Sequence, residues 1–148
     1  MSARPANYDA YKRVDIETAS QGKLIVMLFN GAIQRAEEAK RQMAKNSLEG
    51  VHNNLIRAQD IVAELRGALN MKAGEIAANL DKIYEYFQHL LIQANINKKT
   101  DHLDDCVELM TTMRDTWQDL FNKVATEAPS ITPPPANQHG SAVINVQG

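Results

Sequence analysis

The sequence has a single cysteine, Cys106. One thiol excludes an internal disulfide and suits a reducing compartment. No apolar run approaches the roughly eighteen residues that a membrane-spanning helix needs, and the N-terminus has no apolar core of the secretory-signal kind. Charge of one sign is lacking as well: Lys and Arg number 16 against 18 Asp and Glu, for a net charge of −2. That balance offers no basic face to nucleic acid or to an anionic membrane surface. No stretch alternates apolar and polar residues as a half-buried strand would. The chain therefore reads as soluble, cytoplasmic and helical. Its 148 residues make about one domain, long enough to bury a core without staples.

Constellations that carry chemistry are missing too. There is no Cys-x-x-Cys, no phosphate-cradling glycine loop and no Gly-x-Ser-x-Gly. His52, His89, His102 and His139 are scattered. One Glu-x-x-His exists, Glu49 to His52. A carboxylate-bridged di-iron bundle requires a second, and Gln88 stands where Glu85 would need its histidine. Glu85 and His89 read as a surface pair on one helix face. A phosphotransfer histidine would be followed by a basic residue and glycine, whereas His52 precedes Asn53-Asn54 and His89 precedes Leu90-Leu91. Cys106 lies beside a helical seam and reads as a small core residue. The expectation is no catalytic residue, no metal and no cofactor: not an enzyme.

What is present is helical periodicity. Within 74–97, Ile76, Leu80, Ile83, Phe87, Leu90 and Ala94 step by four and three alternately, the seam of a bundle helix. A second stripe, Ala77, Tyr84 and Leu91, runs beside it at seven-residue spacing. Two stripes exceed what one seam needs. The second is therefore expected to be partly exposed and offered to a partner.

Three further helices are predicted. The first spans 21–44, with Ser20 as N-cap. It carries the run Leu24 to Phe29, small residues at Gly31-Ala32, then Ile33, Ala36, Ala39 and Met43. Gly22 weakens its first turn by roughly 1 kcal/mol relative to alanine. The second spans 47–69, opened by a capping box from Asn46 to Glu49. Its seam is Val51, Leu55, Ala58, Val62, Leu65 and Leu69. The last spans 101–127, opened by Asp101 and Asp104 near the free N–H groups. Its seam is Leu103, Val107, Met110, Trp117, Phe121 and Val124, and Ala128-Pro129 stops it. Short breaks force neighbours to reverse, so the fold class is all-α, an antiparallel up-down four-helix bundle over 18–128. Residues 1–17 carry Tyr8, Tyr11 and Val14 at three-residue steps, a docking segment at the N-terminus. Residues 129–148 read as a disordered tail, in which Val143, Ile144 and Val146 are the candidates for a short docking peptide. A bundle with surplus apolar helix surface is a binding module of the helix-in-groove kind.

The stretch Tyr11 to Ile33 resembles the opening of the flagellar secretion chaperones of the FliS family. Their pattern matches at Tyr11, Thr18-Ala19-Ser20, Leu24-Ile25, Met27-Leu28 and Gly31-Ala32. A second block, Gly74 to Asn95, is similar in its Gly-Glu-Ile-Ala, Asn-Leu, Tyr-x-Tyr and Ala-Asn elements, and a third in Asp101, Leu103, Val107 and Trp117. The three blocks fall in order across about residues 8–124. Departures cluster at the first helix: Gln21 where the family usually has proline, Lys23 for an acid, Phe29 for tyrosine and Asn30 for aspartate. The first two remove a pre-set φ and a capping-box return bond from the expected helix start.

The resemblance implies the bundle fold, no cofactor, and a cytoplasmic export chaperone. Its client would be the C-terminal segment of flagellin, held in a hydrophobic groove against premature polymerisation and handed to the type III export apparatus. The groove expected here is Ala77, Tyr84 and Leu91 with Ile25, Leu28 and Phe29. The N-terminal lid over it would be Tyr8, Tyr11 and Val14. A second reading is a regulatory bundle that binds an anti-sigma factor or a flagellar co-chaperone. A second copy of the chain, as a homodimer, completes the candidate partners.

Overall fold

The computed structural model describes the backbone of residues 6–131 and the side chains of 21–124. The fold is an all-α helical bundle. Its elements are α1 (Ala6–Ala44), α2 (Leu48–Gly67), a 3-10 turn (Met71–Ala73), α3 (Glu75–Asn97) and α4 (Asp101–Ile131). The chain divides into two compact units. One is Ile25–Asp115, and the described part of the other is residues 6–24 with 116–131.

Within Ile25–Asp115 the polar side chains that link neighbouring helices fix their directions. Arg35 on α1 donates to Asn54 on α2 at 3.2 Å, and a Cβ on Gly31 would stand 3.3 Å from Ile61. As α1 advances, its partner positions on α2 therefore fall back. Arg66 on α2 reaches Asp81 on α3 through both ends of its guanidinium, at 2.8 and 3.1 Å, while Asn95 meets His52 at 3.0 Å. Lys40 pairs with Asp104 at 2.8 Å, and Arg114 donates to Asn30 at 3.0 Å, so α4 runs against α1. Arg114, which interrupts the expected seam of α4, is thus the residue that ties α4 to α1.

Turn chemistry makes these reversals short. Asn46 adopts a left-handed conformation with φ 57°, which its short polar side chain tolerates. The cap of α2 is then Ser47, whose side chain accepts from the Gly50 N–H at 3.2 Å. Sequence reading placed that cap at Asn46, one residue early. Lys98 closes α3 in the same left-handed form with φ 53°, its N–H bonding the Ala94 carbonyl at 2.8 Å. Gly74, at φ 84°, turns the chain into α3.

The core of this unit is narrow on α1 and bulky on α3. Ala32, Ala36 and Ala39 are buried on α1, while α3 buries Tyr84, Phe87, Leu90 and Leu91. Tyr84 meets Phe29 edge-on with centroids 6.0 Å apart and lies 6.1 Å from Phe87. Val51, Leu55, Ala58, Val62 and Leu65 of α2 and Leu103, Cys106 and Met110 of α4 complete it.

Two boundaries differ from expectation. Helix α1 begins at Ala6, not near Gln21. Gln21 therefore sits in a helix interior, where proline would cost roughly 3 kcal/mol by losing its N–H bond and clashing with the preceding turn. Glutamine has neither defect, and the departures at Gln21 and Lys23 weaken no helix start because no start is there. Gly22, read as a loose first turn, is an interior, buried position. A Cβ on it would stand 3.0 Å from the Phe121 ring, so the missing side chain is what seats that ring against α1. Phe121 in turn stacks on Trp117 at 5.5 Å. Helix α4 runs to Ile131, through Pro129, beyond the predicted stop. In a last turn the one bond proline removes falls among groups that are partly unpaired in any helix. Residues 132–148, read as a tail, lie outside the described residues.

Candidate functional site

The expected groove residues do not form a surface. Ala77, Tyr84, Leu91 and Phe29 are buried. Ile25 and Leu28 are half-buried on α1 beside Phe29. The stripe predicted to face a partner is core; of the predicted seam, Phe87, Leu90 and Ala94 are buried as expected, while Ile76 and Ile83 are exposed. Neighbouring residues on a helix differ by about 100° in direction, so two stripes one residue apart share one broad apolar arc. Periodicity locates that arc but not its centre. The centre falls on the side of Tyr84, whose buried ring packs with those of Phe29 and Phe87. Tyr8, Tyr11 and Val14 lie in the backbone of α1, but their side chains fall outside those described.

A different apolar row stands open. On α3, Ile76 is 70% exposed, Ile83 39% and Tyr86 49%; on α4, Leu109 is 43% exposed. The Cys106 thiol lies 3.7 Å from the Phe87 carbonyl and so sets the level at which α3 and α4 meet. Ile83 is one turn before Phe87 on α3. Leu109 is about one turn after Cys106 on α4. Because the helices run in opposite directions, these two steps lead to the same level, where Met110 is buried next to Leu109. Ile76, Ile83 and Leu90 follow one another at seven-residue spacing. The side chains therefore line the α3/α4 seam as a row.

A second set of exposed apolar residues, Leu48, Ile56, Ile92 and Ile96, belongs to the α2/α3 side. That seam is latched by polar rungs. Arg66 bonds Asp81 and, at 2.8 Å, Gln88; Asn95 bonds His52. The hydrogen bonds from Arg66 hold the Asp81 carboxyl below the usual carboxylate range. An incoming helix would have to break these rungs to enter, which the α3/α4 row does not ask of it.

Cys106 is buried, and burial first and Asp105 second push its thiol from 9.0 up to about 12. The folded chain holds the neutral thiol, so its contribution to stability is full below the unfolded value and is lost as pH rises toward the folded one. Near pH 8 iodoacetamide should leave the folded protein unmodified and label it after unfolding in urea. Equal labelling rates in both states would mean the thiol is open to solvent. Among the described residues no group of three His, Cys, Asp or Glu side chains is placed to hold a metal ion. No helix is long and apolar enough to cross a membrane, again among the described residues.

Fold and row together define an all-α bundle with an uncovered apolar strip along one helix pair. The chain belongs to the FliS family: the pattern of the family described as "Flagellar protein FliS" matches residues 4–124. The flagellar secretion chaperone FliS of Bacillus subtilis strain 168 is 34% identical over 111 residues, covering 75% of this chain and 83% of that protein. FliS of Vibrio cholerae is 33% identical over 116 residues, covering 75% and 85%. The flagellar secretion chaperone FliSB of Pseudomonas aeruginosa is 30% identical over 115 residues, covering 74% and 91%.

Proposed function

We propose that this protein is a cytoplasmic export chaperone whose α3/α4 row receives the C-terminal segment of flagellin, keeps it from polymerising early, and delivers it to the flagellar export apparatus. The observation that carries this reading is the exposed row Ile76, Ile83, Tyr86 and Leu109 on a chain whose relatives are named flagellar secretion chaperones. Exposed apolar side chains aligned along a helix pair suit an amphipathic helix laid into the seam. No catalytic step is required. A client held this way gives up apolar surface to the chaperone and orders as it does so. Titrating a C-terminal fragment of the cognate flagellin in a calorimeter should give one-to-one binding, a gain of helical circular dichroism and a negative heat-capacity change. Neither heat nor spectral change with that fragment would remove the reading.

The second reading, a contact with an anti-sigma factor or a flagellar co-chaperone, is favoured by the separate α2/α3 face. Its apolar residues stay uncovered when a client fills the α3/α4 row.

A further inference from the structure

The two walls of the α3/α4 row differ in charge. Over residues 101–113, α4 carries Asp101, Asp104, Asp105 and Glu108 and no Lys or Arg. Asp104 turns to the α1 side, where Lys40 meets it at 2.8 Å. Asp101, Asp105 and Glu108 are exposed, and none of them is in an ion pair among the described residues. Their spacing of four and three puts them on one face of α4, over about 10 Å of its length. Successive helix residues turn by about 100°, so Asp105 points within about 40° of Leu109, four residues on. The acids therefore line the outer side of the row. On α3 the outer side carries Glu75, Asn79 and Lys82, all exposed, and the charges of Glu75 and Lys82 cancel.

The helix itself explains only part of the acidic wall. Free N–H groups of the first turn favour Asp101 and Asp104. Glu108 lies beyond that turn, and like charges three and four residues apart repel one another. A single metal ion does not answer them, since among the described residues no group of three His, Cys, Asp or Glu side chains is placed to hold one. The cations that match this wall are spread at helix-turn spacing, beside an apolar face that fits Ile83 and Leu109.

We propose that the row takes an amphipathic helix with Lys or Arg along one edge of its apolar face, and that this edge lies against Asp105 and Glu108 of α4. The inference rests on the row being the client seam, and it adds the charge pattern a client must carry. One acidic wall and one neutral wall also fix the direction of the bound helix. Turning that helix end for end would carry its basic edge across to α3 and leave the acids unmet. Exposed pairs of this kind add little affinity; they guide encounter and reject partners of the wrong sign.

The probes are two synthetic amphipathic helices of equal length with the same leucine stripe. One carries Lys along an edge of the stripe, and the other carries Glu at the same positions. Fluorescence anisotropy follows their binding to the full chain and to two full-length variants. The first is Asp105→Asn with Glu108→Gln. The second is Asp60→Asn with Glu64→Gln, an equal charge change at exposed positions of α2. The Lys helix should bind the parent and the α2 variant about tenfold more tightly than the Glu helix at low salt. The preference should vanish in the α4 variant, and in the parent when NaCl is raised from about 0.05 M to about 0.5 M. Equal binding of the two helices by the parent would overturn the proposal, and so would binding of neither. A preference that survives in the α4 variant, or is lost equally in the α2 variant, would overturn it too, because the charge would then be read elsewhere or as net charge alone. The row itself is judged separately, by the flagellin fragment and Ile83→Asp. A fragment weakened by that substitution keeps the row as the client seam even where the two helices bind alike.

Discussion

Leu91→Asp should abolish the folded bundle at neutral pH. Leu91 is fully buried in the seam of α3. The substitution removes an aliphatic side chain from a packed core, a loss of about 2–5 kcal/mol in comparable sites. It also places a carboxylate in a core that holds no buried charged residue among the described residues, and an uncompensated buried charge costs about 3–5 kcal/mol more. Together these approach the whole stability of a domain, about 5–15 kcal/mol. Far-UV circular dichroism at pH 7 should show lost or sharply lowered helix melting. Acid should partly restore it. Burial raises the carboxyl's folded pKa, so the neutral acid is favoured below its unfolded value and the penalty returns as pH rises. Leu91→Met, which keeps the volume, should melt close to the parent. A Leu91→Asp protein that melts like the parent at pH 7 would mean that this stripe faces solvent after all.

That substitution also separates what the amino-acid pattern specifies from what it leaves open. The seam of α2 is legible at five of its six residues: Val51, Leu55, Ala58, Val62 and Leu65 are buried, while Leu69 lies past the helix end at Gly67 and is half-buried. Helix α3 carries apolar neighbours along its whole length. Ile76 and Ala77, Ile83 and Tyr84, Leu90 and Leu91 are apolar neighbours, and a heptad frame fits either member of each pair. The missing information lies on another helix. Phe29 of α1 meets the Tyr84 ring edge-on, and that aromatic contact belongs to the buried stripe. The start of α1 was hidden for a local reason. Ser20 is a good cap by type, yet a serine caps only where the chain before it leaves the helix, and Asp15 to Thr18 offer no glycine or proline to make it do so. The candidate site moved with the register of α3. Once Tyr84 and Leu91 are core, the apolar residues left over are Ile76 and Ile83.

Ile83→Asp should do the reverse of Leu91→Asp: leave the fold intact and remove client binding. At 39% exposure, Ile83 stands at the edge of the α3/α4 seam. A carboxylate there keeps much of its hydration, and a surface substitution of this kind shifts stability by about 0.5 kcal/mol or little more. Melting should stay within a few degrees of the parent. A client helix laid into the row must instead cover that position. It would desolvate the new charge with no partner to meet it, a penalty of about 1–3 kcal/mol, and lose the isoleucine contact as well. Each 1.4 kcal/mol is a factor of about ten in affinity, so calorimetry should show binding of the flagellin fragment weakened by roughly ten- to a hundredfold. The partner change is Leu48→Asp, on the α2/α3 side, at a residue equally free to lose its apolar surface. It should leave fragment binding where it was. If Leu48→Asp weakens the fragment and Ile83→Asp does not, the client lies on the α2/α3 face and the polar rungs of Arg66, Asp81 and Gln88 do not exclude it. Weakening by both would place one long client across both faces, with α3 as its shared wall.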